Sequence, residues 1–315
     1  MAQAFGHKVQ SPDGSRLPQL PTCSVVIATL DRVPSLLKVL DCLERQTTPP
    51  LEVILCVAGN VTALEEALAA KSSGLPVRIL RSAVKSSARQ RNQGAAAAVG
   101  EVLAFLDDDI EFGEDLFERM LGRFATMSSS ELGGLSPRIA TQGRNRPGRL
   151  TLAYYRLQAG YRDADYGGRL FGPAINCFPV FEKNGPELVL VEWLPSTCLF
   201  LRSECFRRHQ FPEFDGYSFA EDVHLTARIA REAPLFFLRE PSILHHSQPS
   251  EFKADPAALT AGKLHNMAVI AREVMKVPRF RWKWEMHRIF VSISLLLRRP
   301  SQWREELRGV WQAKP

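Results

Sequence analysis

The chain has 315 residues, 45% of them apolar and 23% charged, and 40 Lys and Arg against 34 Asp and Glu leave a net charge of +6. That length allows one large or two ordinary domains, and the composition excludes a disordered chain, a collagen or a disulfide scaffold. The charge is local: residues 276–315 hold ten Lys or Arg against Glu285, Glu305 and Glu306, so this segment is +7 and the remaining 275 residues sum to −1.

A nucleic-acid-binding body would carry its own basic excess, so no nucleic acid partner is expected. Cys23, Cys42, Cys56, Cys177, Cys198 and Cys205 form no C-x-x-C pair and read as buried free thiols of a reducing compartment. Met1 to Pro21 lacks the apolar stretch of a signal peptide. The longest apolar run, Ile289–Leu297, is far shorter than the about 20 residues of a spanning helix. The expectation is a cytoplasmic protein, soluble or peripheral on the cytoplasmic face of the membrane.

Residues 1–20 read as a flexible tail. From Cys23 strand and helix alternate. Cys23–Thr29 is a β-branched run of a buried parallel strand, and Pro34–Gln46 follows as a helix with Leu36, Leu40 and Leu43 at helical spacing. Leu51–Val57 is a strand, Val61–Lys71 a helix, Val77–Leu80 a strand and Ser86–Val99 an Ala-rich helix stopped at Gly100. Glu101–Leu106 is a strand that runs into Asp107-Asp108-Asp109, and Gly113–Phe124 is a helix. This order implies an open parallel sheet with right-handed crossovers, whose ligands sit beyond the carboxyl ends of the strands. Residues 141–192, with seven Gly and many aromatics, read as a long functional insertion. Thr197–Arg202 returns as a strand, Phe219–Arg231 is a helix, and Leu235–Leu238 and Ser242–His245 are short strands. After Pro249 the chain is helical and basic.

Four features carry chemistry. Three adjacent carboxylates repel one another, and a divalent cation is their usual compensation. In an extended turn Asp107 and Asp109 point to one side. An Asx turn or a cap for the following helix would explain the same residues. Glu221 and Asp222 open a helix, where the dipole favours acids with or without a function. Asp222 lies on one stripe with Leu225 and Ile229, while Glu221 aligns with Leu225 at i+4, so periodicity alone does not choose between them as a base. His245-His246 ends a short strand close behind that pair, and imidazole can complete a metal shell begun by carboxylates, or be simply solvated. Lys85, Arg89 and Arg91 lie near a helix N-terminus after a parallel strand, a setting suited to phosphate or to a solvated helix face.

Taken together and in this order, these segments resemble the inverting, family-two glycosyltransferases of the GT-A fold over about residues 22–248. Ser24-Val-Val-Ile-Ala-Thr-Leu-Asp-Arg32 resembles their opening strand and loop. Arg91-Asn92-Gln-Gly94 and Gly100-Glu-Val-Leu-Ala-Phe-Leu-Asp107-Asp-Asp109 resemble their R-N-x-G and D-x-D segment. Glu221-Asp222 resembles their E-D motif, and His245 the His that follows it. The resemblance implies a GT-A (Rossmann-like), mostly parallel α/β sheet flanked by helices. It implies transfer of a sugar from a nucleotide-diphosphate sugar to a glycan or lipid-linked acceptor hydroxyl, with Mn²⁺ or Mg²⁺ as cofactor.

By the same resemblance Thr29, Asp31, Arg32, Arg89, Arg91, Asn92, Asp107 and Asp108 fall on the nucleotide-sugar site. Asp109, His245 and His246 fall on the metal. Asp222 becomes the catalytic base, with Glu221 beside it. One departure stands out: the family's second strand usually ends in two acids that meet the nucleotide, whereas here it ends Leu55-Cys-Val-Ala-Gly-Asn60, and Asp31 can take part of that role. A nucleotidyltransferase shares such a sheet but normally has a Gly-rich loop after the first strand, and Ile27–Pro34 has no Gly. A non-catalytic nucleotide-sugar-binding module is the other alternative, against which the retained acids argue.

The expected organisation is a GT-A domain over 21–250, its nucleotide half at 21–110 and acceptor half at 111–250, followed by a basic helical extension at 251–315. In that extension Met286, Ile289, Ile293 and Leu296 share helical spacing, with Trp282 and Trp284 just before and Lys and Arg at both ends. An interfacial helix at an anionic membrane reads this way. Val291 and Leu295 make the run apolar nearly all round, which also suits burial.

Overall fold

The computed structural model describes residues 19–71, 73–141, 147–161, 165–182, 184–214, 219–246 and 255–315. Residues 1–18 of the expected tail, Gly143 and Pro249 lie outside these. The elements run β1 (Cys23–Thr29), α1 (Val33–Glu44), β2 (Glu52–Val57), α2 (Val61–Lys71), β3 (Val77–Arg81), α3 (Ser87–Ala97), β4 (Val102–Leu106), β5 (Ile110–Glu111), α4 (Leu116–Thr126) and β6 (Gly134–Ile139). They continue with α5 (Arg149–Ala159), β7 (Leu170–Phe171), β8 (Ile175–Asn176), β9 (Leu188–Val191), β10 (Cys198–Arg202), α6 (Ser203–Arg208), α7 (Glu221–Ile229) and β11 (Leu235–His245). Helices α8 (Pro256–Val269), α9 (Phe280–Arg298) and α10 (Trp303–Gln312) close the chain, with a π-helical turn at Ile270–Val274 extending α8.

The main sheet has the order β3-β2-β1-β4-β10-β6-β11-β5, with β9 paired to β11 on its other side. β3, β2, β1 and β4 are mutually parallel, and β2, β1 and β4 carry the near-continuous apolar runs of strands buried on both faces. Every residue of β4 is buried, and of β1 all but Ala28. Helix α1 covers one face with Leu36, Val39, Leu40 and Leu43 at i, i+3, i+4 and i+7, and Pro34 sits in its first turn, where no backbone donor is needed.

The far half departs from the expected parallel order. β10 runs antiparallel to both β4 and β6. β6 lies in a stretch whose Gly134 and Pro137 argue against a central strand by composition. Gly134 is needed there because a Cβ would lie 2.6 Å from Leu201 Cδ2 and 3.0 Å from Leu235 Cδ2. Two expected short strands are one, β11, whose pairing to β6 shifts register between Leu238 and Ser242. The region 141–192 contains helix α5 and three short strands, and is more regular than its Gly content suggests. Helix α4 starts at Leu116, after Asp115, three residues later than expected.

All six cysteines are buried and free. The C-terminal helices share a core with the rest of the chain: Leu264 of α8, Trp284 of α9 and Val310 of α10 pack in one cluster with Tyr154 of α5 and Val223 of α7. Among the described residues no helix is long and apolar enough to cross a membrane.

Candidate active site

The carboxyl end of β4 delivers Asp107, Asp108 and Asp109 into the crevice where the sheet changes from parallel to antiparallel. Alternation sends the middle acid away from its neighbours. Asp108 is buried and accepts a 2.6 Å bond from Thr29 Oγ1, with Arg32 Nη1 at 3.2 Å. Burial pushes its carboxyl above the usual range, against the pull of the Thr29 bond and the Arg32 charge. Asp107 and Asp109 turn the other way, toward His245 at the end of β11. His245 Nε2 lies 3.1 Å from Asp109 Oδ1 and 3.9 Å from Asp107 Oδ2.

One ligand atom from each of Asp107, Asp109 and His245 falls within 4.8 Å of the others. Two carboxylates and one imidazole are a donor set that suits Mn²⁺ or Mg²⁺, and these residues can hold such an ion. The pairing of β11 with β5 explains the choice of histidine. His245 stands opposite Ile110, and the amide of His246 donates to Asp109 O at 2.9 Å. The His246 ring therefore faces Glu111, 3.3 Å away, on the exposed side.

Behind this cluster lies Arg91, buried on α3. Its Nη2 donates to Asp107 Oδ1 at 2.7 Å, its Nη1 pairs with Glu221 Oε1, and its guanidinium lies 5.5 Å from the Phe211 ring centre. Burial alone would lower its pKa, but Glu221, Asp107 and Asp222 around it raise it. Ser87 Oγ also donates to Glu221, at 2.9 Å. Glu221 is thus enclosed, 3% exposed. Its neighbour Asp222 is half-buried and accepts from the Ser196 amide at 3.2 Å and the Val223 amide at 2.8 Å. Burial pushes Asp222 up from the usual carboxylate range, while those two amides and Arg91 hold it down. The two acids that periodicity left equivalent therefore differ: Glu221 neutralises a buried cation, and Asp222 is oriented by backbone donors.

Other predicted residues stand further off. Arg89 pairs with Glu213 at 2.8 Å. Asn92 exchanges bonds of 3.0 and 3.1 Å with the backbone of Phe211, which fixes α3 against the segment before α7. Asp31 Oδ1 accepts from the Asn60 amide at 2.6 Å, so its carboxylate reaches the end of β2, where the two family acids are absent.

Gly94 lets α3 lie on the sheet, since a Cβ there would sit 2.4 Å from Val26 Cγ1 and 2.8 Å from Cys56 Sγ. Gln90, Ser87 and Ser196 escape a reading of the sequence. Gln90 is buried and its Nε2 donates to Thr29 O at 2.9 Å and Cys56 O at 2.5 Å, tying together the ends of β1 and β2. Its place one residue before the R-N-x-G segment is the only local signal; the two serines have none.

The profile of Glycosyl transferase family 2 matches residues 24–184. No curated protein matches the chain. Solved structures share the fold at low identity. A structure of GalNAc-T7 with UDP, GalNAc and Mn²⁺ superposes with a TM-score of 0.60 at 16% identity, covering 92% of this chain. This chain spans 54% of that one. The mannosyltransferase PcManGT from Pyrobaculum calidifontis, in complex with GDP-Man and Mn²⁺, gives a TM-score of 0.53 at 13% identity, covering 93% of this chain and 85% of the other. TarS of S. aureus gives 0.50 at 15% identity over 87% of this chain and 43% of its own. With the profile spanning half the chain across β1, the R-N-x-G helix and the triple Asp, the chain belongs to glycosyl transferase family 2, on a GT-A fold.

Proposed function

We propose that this protein is a metal-dependent, inverting glycosyltransferase that moves a sugar from a nucleotide-diphosphate sugar to a hydroxyl of a glycan or lipid-linked acceptor, in cell-surface glycan or glycolipid assembly on the cytoplasmic side. The observation that carries this reading is the convergence of Asp107, Asp109 and His245 on one point, with Arg91 bridging Asp107 to Glu221, the neighbour of Asp222.

Asp107, Asp109 and His245 would hold Mn²⁺ or Mg²⁺, which neutralises the charge of the leaving diphosphate when bound. Arg91 holds Asp107 in place by a charged bond and adds positive charge behind it. Asp222 takes the proton of the acceptor hydroxyl as the hydroxyl oxygen attacks the anomeric carbon from the face opposite the leaving group. Two backbone amides fix the Asp222 carboxylate, and its raised pKa makes it a stronger proton acceptor than an exposed Asp. Thr29, Arg32 and Asp108 shape the floor of the nucleotide side, and Asp31 stands in at the end of β2 for the missing acids. GalNAc-T7 and PcManGT carry UDP and GDP-Man respectively, so the fold admits different nucleotides. The insertion at 141–192 would form much of the acceptor side.

The test is release of nucleoside diphosphate from a panel of nucleotide sugars, with Mn²⁺, Mg²⁺ or chelator. One donor should be consumed only with a cation, and Asp109→Ala should abolish the cation dependence together with turnover. Cation-independent consumption, or none in the whole panel, would overturn the reading.

A further inference from the structure

Helix α9 has two faces. Trp284, His287 and Ser292 are buried, and Phe290, Val291 and Leu295 pack against the core shared with α5, α7 and α8. The opposite face leaves Trp282, Ile289, Ile293, Leu296 and Leu297 between 43% and 69% exposed. Trp282, Ile289, Ile293 and Leu296 are seven, four and three residues apart and Leu297 is four beyond Ile293, so they form one stripe, about 22 Å long at 1.5 Å per residue. Glu285, paired to Arg288 at 3.0 Å, is the acid on this side of the helix. Cations cluster at both ends: Arg279 and Arg281 are exposed before the stripe, Arg298 and Arg299 after it. At the first end Arg279, Phe280, Arg281 and Trp282 line an open cavity of about 660 Å³. At its flank Trp311 of α10 is half exposed under the guanidinium of Arg288, 4.3 Å from the ring centre.

We infer that this face of α9 is a docking surface for an anionic lipid bilayer, lying in the plane of the interface. The charge argues for lipid: residues 276–315 are +7 while the rest of the chain is −1, and four of those cations, Arg279, Arg281, Arg298 and Arg299, flank the apolar stripe. An apolar stripe with aromatic residues at one end and cations at both matches an acyl–headgroup boundary with negative headgroups. The stripe lies on a folded helix that is too charged to span, so it would lie in the plane of the interface. Its orientation is set by the protein core, because Trp284 is buried in the same core cluster as Met267 and Val274. The π-helical turn Ile270–Val274 then packs on α7, the helix that carries Asp222. This inference stands independently of the transfer reaction.

Flotation of the full chain with two sets of vesicles tests it: phosphatidylcholine alone, and phosphatidylcholine with one third phosphatidylglycerol. The wild type should float with the anionic vesicles and stay behind with the neutral ones, and added salt should weaken binding. Two double variants separate the contributions, Ile293→Glu with Leu297→Glu, and Arg281→Glu with Arg298→Glu. Each should lower the bound fraction by about ten-fold or more at an unchanged melting temperature. If one pair lowers the melting temperature, the other decides. Failure of the wild type to float, or flotation of both variants like wild type, would overturn the inference. So would a dimer in light scattering that Ile293→Glu with Leu297→Glu dissolves while no vesicle binds, because the stripe would then face a second copy.

Discussion

In the sheet the chain buries charge and hides apolar surface. Asp108, Asp109, Arg91 and Glu221 are each at most 6% exposed, and the strands beneath them are sealed. In the C-terminal helices the arrangement is reversed. Most Lys and Arg stay in solvent, with Lys283 and Arg288 partly covered, and six of the fourteen exposed large hydrophobic residues described lie between Trp282 and Trp311. Burying a charge costs several kcal/mol unless it is paired, so a chain that keeps four such groups together is using them to position something. Exposing Ile and Leu in a row forgoes burial of about 25 cal/mol per Å², which a partner can supply. The first region has the character of a reaction site and the second that of a docking face.

The sharpest way to break this contrast is at Asp222. Asp222→Asn should lower transfer by about 10²–10⁴-fold, the usual range for a general base, while donor and cation binding persist. Because burial raises the Asp222 pKa, the ionised carboxylate is costly in the fold, and the cost is present above its folded pKa. The neutral amide should therefore leave the melting temperature at pH 7 equal or higher. Initial rates and melting curves on the same sample check both halves. A lower melting temperature with proportionate loss of activity would make Asp222 a structural group.

Arg91 tests the other side of the buried cluster. Arg91→Met strands Glu221 without its cation and should cost about 3–5 kcal/mol in denaturant unfolding. Arg91→Met with Glu221→Leu should recover most of that loss, because the buried Glu221 charge is removed and the other partner, Asp107, is partly exposed to solvent. A cost below about 1 kcal/mol for the single variant, within the range of an exposed pair, would mean that the ion pair is solvated.

The difference between the regions also governs what can be read from the chain. The parallel half announces itself, since each buried strand is an apolar run, α1 repeats apolar residues at i, i+3 and i+4, and α3 is marked by its alanines. The order β1 to α4 and the acids at the end of β4 follow from that. The antiparallel half depends on contacts between distant residues. Gly134 and Pro137 disguise β6, and nothing local in Cys198–Arg202 sets its direction against β4. His245 and His246 are adjacent, so they point to opposite faces, and only the pairing of β11 with β5 determines which one meets Asp109. Glu221 and Asp222 are likewise separated by Arg91, Ser87 and the Ser196 amide, all far away in sequence. On α9 the periodicity is compatible with burial or exposure, and the packing of Trp284, Val291 and Leu295 decides which face is left out.

The core beneath the C-terminal helices gives a smaller, pH-dependent effect. Tyr154 Oη and His287 Nδ1 are 2.7 Å apart, and Gln158 Nε2 donates to the same hydroxyl at 3.0 Å, joining α5 to α9. Burial lowers His287 from 6.5 to about 4, with the Lys263 charge adding to it. Between those values the unfolded chain binds the proton and the folded chain does not, so stability rises with pH across that window and is lost as pH falls through it. The magnitude is about 3 kcal/mol, at 1.36 kcal/mol per unit. His224, also lowered to about 4 by burial and then by Arg228, adds slope of the same sign. His287→Gln should flatten part of the dependence between pH 6.5 and 4 in urea titrations. A slope unchanged in that variant would mean that the imidazole is charged in the fold.

The smallest effect expected is on the exposed stripe of α9, and its smallness is what the contrast requires. Leu297 is 69% exposed near the end of the helix. Replacing it with Gln removes little buried area and no packed contact, and Gln is close to Leu in helix propensity. The expected change in unfolding free energy is within about 0.5 kcal/mol of zero, as for surface positions in general. Two residues back, Leu295 packs partly into the shared core, and Leu295→Gln puts an amide there; it should cost more than Leu297→Gln in the same urea titration. If the two variants were equally destabilising, Leu297 would be covered by protein in solution, and the apolar face of α9 would belong to the core instead of to a partner.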